Sequence, residues 1–234
     1  MIAQVSLTRR AFAEFLATAL LVAAVVGSGI AAQTLSPNDV GLQLLENTIA
    51  TAGALFAIIV VFAPISGSHL NPVVTIVDCA IGRRSWSDAI AYIPAQVVGA
   101  IVGAIVANVM FDRAAIETST KVREGSNIYF AELVATFGLV LVIFLLVRTG
   151  RAMESVVVVP AAVAGYITAA YWFTSSTSFA NPAVTIGRAF SDTFAGIAPA
   201  SVPPFIVAQI IGAALALGAV IFLTTQAKDE VVSE

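Results

Sequence analysis

Two Asn-Pro pairs are the residues in this 234-residue chain whose type and spacing could act on another molecule. Asn71-Pro72 and Asn181-Pro182 lie 181 − 71 = 110 residues apart. Asn at a helix N-cap accepts hydrogen bonds from first-turn amides, and Pro at the first helical position loses only an N–H that has no partner there. Each pair therefore predicts the start of a short helix. The chemistry on offer is hydrogen bonding by a carboxamide beside the positive end of a helix, not bond making.

Other reactive residue types are scarce. The chain has one cysteine, Cys79, and one histidine, His69, which excludes a disulfide framework and a set of soft metal ligands. Cys79 is expected to be a small core residue. The sequence holds no Ser/His/Asp, metal-ligand or phosphate-binding constellation for catalysis, and no basic run for nucleic acid. We therefore expect no enzyme, no cofactor and no nucleic-acid partner.

The elements that carry the Asn-Pro pairs are predicted to lie in a membrane. Hydrophobic residues make up 59% of the chain and charged residues 11%, with a mean hydropathy of +0.97, whereas soluble domains are about 25% charged. The sequence predicts an all-α membrane protein, because six apolar stretches are long enough to cross the hydrocarbon core as helices. These stretches are residues 11–32, 48–65, 88–111, 128–148, 155–174 and 203–225.

The two halves of the sequence repeat each other in the same order. Three pairs of segments match: 13–18 with 131–136, 71–76 with 181–186, and 95–99 with 208–212. Each half holds three spans, so the second half enters the membrane from the opposite side, as an inverted-topology repeat. We expect a single transmembrane domain over 1–234, with repeats of about 7–111 and 128–226.

Each half also contains a segment too interrupted to cross the membrane, at residues 66–83 and 175–192. Each is predicted to be a re-entrant loop followed by a half-helix that begins at Asn-Pro. The extended residues before each Asn leave backbone carbonyls unpaired, which at membrane depth is tolerated only where they line water or a solute path.

The basic residues predict the orientation. With the N-terminus in the cytoplasm, seven basic residues lie inside and three outside, as the positive-inside rule favours. An even number of spans then places both termini in the cytoplasm. The inner set is Arg9, Arg10, Arg83, Arg84, Arg148, Arg151 and Lys228, and the outer set is Arg113, Lys121 and Arg123.

The paired Asn-Pro-Ala-like boxes, each in a half that begins with a Glu-containing span, resemble those of the major intrinsic proteins, the aquaporins and aquaglyceroporins. The resemblance covers residues 7–226. It implies a passive channel for water and small uncharged solutes. It further implies a homotetramer, located in the inner membrane of a bacterium. It also implies that the half-helices meet end to end at the midplane. The boxes are Asn71, Pro72 and Val73, and Asn181, Pro182 and Ala183.

The same resemblance assigns roles to buried polar residues. Asn71 and Asn181 would point amide donors into the pore, so that a neutral solute is accepted and a cation is not. Glu14 and Glu132 lie inside spans, where an acid is costly unless hydrogen-bonded, and would accept from the backbone of the re-entrant loops. His69 would be structural within the first loop. Both carboxylates could instead be favourable first-turn residues of their helices.

The sequence departs from the family at the filter. Val73 replaces the usual alanine of the first box, and Val184 stands where aquaporins usually carry an arginine after the second box. Counting by family spacing without gaps places the other filter positions on Thr51, Ala169 and Ser178. Such a filter is wider and less cationic, and resembles bacterial members associated with arsenic resistance. We expect glycerol-like polyols or metalloid acids such as arsenite to pass, with a water-selective aquaporin or an inverted-repeat secondary transporter as alternatives.

Arg188 allows two interpretations. It lies seven residues after Asn181 and four after Val184, near one face of the half-helix, so it is either a filter charge displaced outward or an i,i+4 partner of Asp192. Asp78 occupies the same place after Asn71 and is expected near the cytoplasmic mouth. Outside the pore, two small-residue pairs predict close helix contacts: Gly99 with Gly103, and Gly212 with Ala216.

Overall fold

The computed structural model describes residues 5–225, and this part of the chain is helical, with no strand. Its eight α-helices include two short ones, α3 and α7, each after an Asn-Pro pair. In chain order they are α1 Leu7–Leu35, α2 Val40–Ser66, α3 Pro72–Ala80, α4 Trp86–Met110, α5 Ser126–Arg148, α6 Val158–Phe173, α7 Pro182–Gly187 and α8 Val202–Thr224. Single 3₁₀ turns lie at Arg151–Met153, Arg188–Phe190 and Pro199–Ser201.

Five of the six predicted spans are confirmed by helix length and composition. Five helical stretches of residues 5–225, four of the longer helices and α8 with the turn before it, are long and apolar enough to cross a membrane. α6 is apolar but has 16 residues, about 24 Å at 1.5 Å per residue, which is less than the hydrocarbon thickness of about 30 Å. Lys228, one of the basic residues predicted on the cytoplasmic side, lies outside the described residues.

Each half contains one close helix pair, and the two pairs are equivalent. α1 packs along α4, and α5 packs along α8. A Cβ added at Gly99 or Gly103 would meet the backbone carbonyls of Phe15 or Ala19, and one added at Gly212 would meet that of Leu133. The predicted close approaches are therefore confirmed at these glycines: only a residue without a side chain permits this spacing.

The two re-entrant segments place α3 and α7 between these pairs. α3 packs on α4 and α8, and α7 packs on the same two helices, so each half-helix touches both halves of the chain. The half-helices also contact each other. The loops that precede them are strained, with positive φ at Ser68 and Leu70 in one and at Ser178 and Ala180 in the other. Such conformations are unfavourable for residues with a side chain and persist only where surrounding contacts impose them.

Candidate solute pathway

Asn71 and Asn181 lie at the meeting point of the two halves. Each caps its own half-helix: the Asn71 side chain accepts from the Val73 amide at 3.1 Å, and the Asn181 side chain accepts from Ala183 at 3.0 Å. Each also donates to the opposite loop, because Asn71 Nδ2 is 2.8 Å from the Ala180 carbonyl oxygen and Asn181 Nδ2 is 2.7 Å from that of Leu70. Both side chains line a central cavity.

Two fully buried carboxylates hold the strained loops. Glu14 accepts from the amides of His69 at 2.9 Å and Leu70 at 2.7 Å. Glu132 accepts from the amides of Phe179 at 2.8 Å and Ala180 at 3.0 Å. A carboxylate with two backbone donors repays part of the cost of burying its charge, and it orders the loop whose amides it binds.

Sequence reasoning missed the two glutamines that complete this support. Gln96 Nε2 donates to Glu14 at 2.8 Å and to Thr75 at 3.0 Å. Gln209 Nε2 makes the matching bonds to Glu132 at 2.7 Å and Thr185 at 2.9 Å. The signal was present, because both glutamines fall within the repeated segments 95–99 and 208–212. A repeated segment shows that two side chains are equivalent, but it does not show which group each side chain hydrogen-bonds.

His69 lies in the first loop, where a structural role was predicted, and its side chain also lines the cavity. Its Nδ1 is 3.0 Å from the Thr75 hydroxyl and its Nε2 is 3.2 Å from a carboxylate oxygen of Asp78. The imidazole thus joins the loop to α3 at two points, Thr75 in the first turn of the half-helix and Asp78 about one turn further on.

The cavity has a volume of about 570 Å³ and runs past both Asn side chains. Three of the four predicted filter residues line it: Thr51, Ser178 and Val184. The remaining residues of the two Asn-Pro-Ala-like boxes do not line the cavity. Val73 is 2% exposed and belongs to a buried cluster with residues of α5 and α8, and Ala183 is fully buried in a cluster that includes residues of α4. Pro72 and Pro182 are buried at the first turns of α3 and α7.

The placement of Ala169 in the filter is wrong. Ala169 is exposed on α6 and is absent from the cavity wall, whereas Tyr171 is 3% exposed and lines it. Two residues along a helix correspond to about 200° of rotation, so a counting error of two moves a side chain to the opposite face. The phenol oxygen of Tyr171 is 3.2 Å from the Thr51 hydroxyl and links α6 to α2 beside the cavity. The sequence does contain a signal for this position, because Tyr171 is an aromatic residue two positions after Ala169.

Arg188 lines the cavity and is 2% exposed. Its Nε donates to the Ala195 carbonyl, and its guanidinium carbon lies 3.4 Å from the centroid of the Phe179 ring. Asp192 instead accepts from the Thr120 amide at 2.8 Å. Within residues 5–225 the i,i+4 pair between Arg188 and Asp192 is not formed, so of the two interpretations the geometry favours a charge at the pathway.

Two further cations gather on the same short loop. Lys121 Nζ donates to the Phe194 carbonyl at 2.7 Å, and Arg123 Nε donates to that of Gly196 at 2.9 Å. Burial, with the Arg123 and Arg188 charges nearby, lowers the pKa of Lys121 to about 8. The carbonyls of residues 194–196 therefore bind three cations, of which Arg188 lines the cavity.

Comparison with known proteins agrees with this geometry. Residues 1–178 match the family described as Major intrinsic protein. The chain is 48% identical to the aquaglyceroporin AqpS of Rhizobium meliloti (strain 1021), over 95% of this chain and 93% of that protein. It is 32% identical to the aquaporin AqpM of Methanothermobacter marburgensis, over 95% of this chain and all of that protein.

A solved structure supports the fold. The X-ray structure of the aquaglyceroporin from Plasmodium falciparum is 23% identical, covers 91% of this chain and 95% of its own, and gives a TM-score of 0.72. The chain belongs to the major intrinsic protein family, and it is a multi-pass membrane channel for water and small solutes, not an enzyme.

Proposed function

We propose that this channel passes uncharged solutes larger than water, namely glycerol-like polyols or neutral metalloid acids such as arsenous acid, the protonated form of arsenite. The observation that carries the proposal is Val184, an apolar residue on the cavity wall where the family resemblance leads one to expect an arginine. An arginine there would narrow the neck and add a fixed charge, whereas valine does neither. The name aquaglyceroporin, borne by the AqpS relative, is in keeping with a wide neck.

The neck we propose consists of Thr51, Tyr171, Ser178 and Val184. One side offers hydroxyl groups and the other an aliphatic surface. A polyol or a metalloid acid has the same division, because its hydroxyl groups exchange hydrogen bonds while its carbon or metalloid centre loses little by leaving water. Arg188 stands one turn beyond Val184 and adds positive charge without filling the neck.

Beyond the neck, Asn71 and Asn181 would act on the solute as donors. Each carboxamide nitrogen carries two hydrogens, and the carbonyl across the midplane takes one of them. The second is available to a passing oxygen atom. A cation would meet donors rather than acceptors at this point, so the pair favours neutral solutes.

We further propose the arrangement that the sequence predicted for the whole channel. The chain forms one channel domain of two inverted repeats, about 7–111 and 128–226, in the inner membrane of a bacterium with both termini in the cytoplasm. It assembles as a homotetramer. The support for these statements is the family membership and the matched hydrogen bonds of the two halves.

Val184→Arg is the test. In proteoliposomes followed by stopped-flow light scattering, we expect glycerol and arsenous acid permeability to fall about tenfold or more, because the added side chain closes the apolar side of the neck. Water permeability should stay within about twofold, since one water molecule needs less width. Val122→Arg, which adds the same side chain on an exposed loop residue, is the matched control.

Two outcomes would contradict the proposal. Unchanged glycerol and arsenous acid flux in Val184→Arg would remove Val184 from the neck. A wild-type protein that passes water but neither larger solute would make the channel a water-selective aquaporin.

A further inference from the structure

The wall of the cavity is built from equivalent positions in the two halves. Counted from each Asn, the residues at −3, −2, 0, +3 and +7 line the cavity in both. Ser, Asn and Val recur at −3, 0 and +3. The halves differ at the remaining two positions, which are Phe179 and Arg188 in one half and His69 and Asp78 in the other. The repeat therefore keeps the frame of the wall and changes its charge.

The two differing positions are in contact in both halves. The Arg188 guanidinium lies 3.4 Å from the Phe179 ring centroid, and an Asp78 carboxylate oxygen lies 3.2 Å from His69 Nε2. Arg188 is 2% exposed and Asp78 is 6% exposed, so both charges are largely removed from bulk water. One end of the pathway thus presents a cation and the other a carboxylate in the same structural position.

Asp78 offsets part of the positive charge at its end of the cavity. The other charged groups that line this end are basic: Arg83, with Nε 3.0 Å from Asp78, and Arg84, with Nε 3.7 Å away. Arg84 also donates to the Ser66 carbonyl at 2.7 Å. Asp78 is the one carboxylate among the described residues of the cavity wall. Without it, this end would hold two guanidinium groups and an imidazole with no counter-charge.

We infer that Asp78 is a specificity-determining residue: it excludes small anions at this end of the pathway, as Arg188 opposes cations at the other. A fixed charge beside a narrow apolar passage acts strongly on ions, since the surrounding low dielectric screens it little. An uncharged solute does not respond to the sign of either charge. The inference rests on the proposed passage of uncharged solutes, because a neck wide enough for glycerol needs a further barrier against ions.

Asp78→Asn tests the inference in proteoliposomes that contain a halide-quenched fluorophore. We expect the rate of iodide entry to rise about tenfold or more over wild type, because Arg83 and Arg84 are left without a counter-charge at this mouth. Glycerol permeability of the same vesicles should stay within about twofold. Asp88→Asn is the matched control: Asp88 is also buried and paired with an arginine, Arg10, at 2.6 Å, but it does not line the cavity.

A second pair of variants separates charge from folding. Asp78→Ser removes the carboxylate with a smaller side chain, and the double variant Asp78→Asn with Arg83→Gln removes both members of an ion pair. Iodide entry should rise in the first and return to within about threefold of wild type in the second.

The outcomes distinguish this inference from the proposed function. Neutral Asp78 variants that conduct glycerol and exclude iodide as wild type does would overturn the inference alone. A wild-type channel that conducts no glycerol or arsenous acid would overturn the proposed function, whatever the iodide result.

Discussion

Tyr171 changes the chemistry of the neck because its side chain brings both volume and a hydroxyl group where an alanine was expected. Its phenol oxygen is 3.2 Å from Thr51, and both residues are buried. A passage lined by Thr51 and Tyr171 is narrower, and its wall more polar, than one lined by threonine and alanine. In the proposed neck, Val184 leaves one side open, and the aromatic ring of Tyr171 closes the side of α6.

The assignment of Tyr171 can be tested by size selectivity. Replacing Tyr171 by Ala removes the ring, so we expect permeability to erythritol, a polyol larger than glycerol, to rise about threefold or more in stopped-flow swelling. Ala169→Leu, an enlargement at the position that sequence counting had chosen, should leave glycerol and erythritol permeability within about twofold, because that residue is exposed and lies off the cavity wall. The reverse pattern would restore Ala169 to the neck and remove Tyr171.

At the scale of elements, the half-helices show what sequence could and could not predict. The Asn-Pro pairs predicted where α3 and α7 begin, because capping depends only on neighbouring residues. The bonds from each Asn to the opposite loop depend on two segments 110 residues apart meeting head to head, and no local pattern encodes them. The face of α6 was missed for a similar reason: it depends on packing against α5 and against α2, which is distant in the sequence.

Helix pairing gives a prediction on stability. A Cβ at Gly212 would press on the backbone carbonyl of Leu133 in α5, and backbone cannot move aside as a side chain can. We expect Gly212→Ala to destabilise the fold by about 1–3 kcal/mol. Gly218→Ala on the same helix meets no atom within 4 Å and should be neutral or stabilising by up to about 1 kcal/mol. Unfolding in mixed micelles with increasing SDS measures both, and equal midpoints for the two variants would contradict the predicted close approach.

At the scale of the molecule, the repeat predicted more than any single residue did. It predicted two support sites, and Glu14 and Glu132 bind equivalent loop amides in the two halves. The divergence of the halves was less predictable. The carbonyls of residues 194–196 accept hydrogen bonds from Lys121, Arg123 and Arg188. This arrangement requires residues 121–123 to meet a loop 73 residues further along the chain. Architecture follows from repeated segments, whereas charge at the two mouths follows from the residues that the repeat does not share.

The orientation of this charge across the membrane gives the last prediction. The structure gathers Lys121 and Arg123 around one loop, and it holds Arg83 and Arg84 at the opposite half-helix. If the positive-inside rule applies, the first pair faces outward.

Cysteine labelling on the two sides tests this orientation. Glu124 and Glu154 are both exposed, one in the loop beside Arg123 and the other beside the turn that follows α5. Native Cys79 is buried, so background labelling is low. In intact cells, a membrane-impermeant maleimide should label Glu124→Cys, and it should label Glu154→Cys only after permeabilisation. Labelling of Glu154→Cys alone would reverse the orientation and place the Asp78 end outside, where it would meet solutes first.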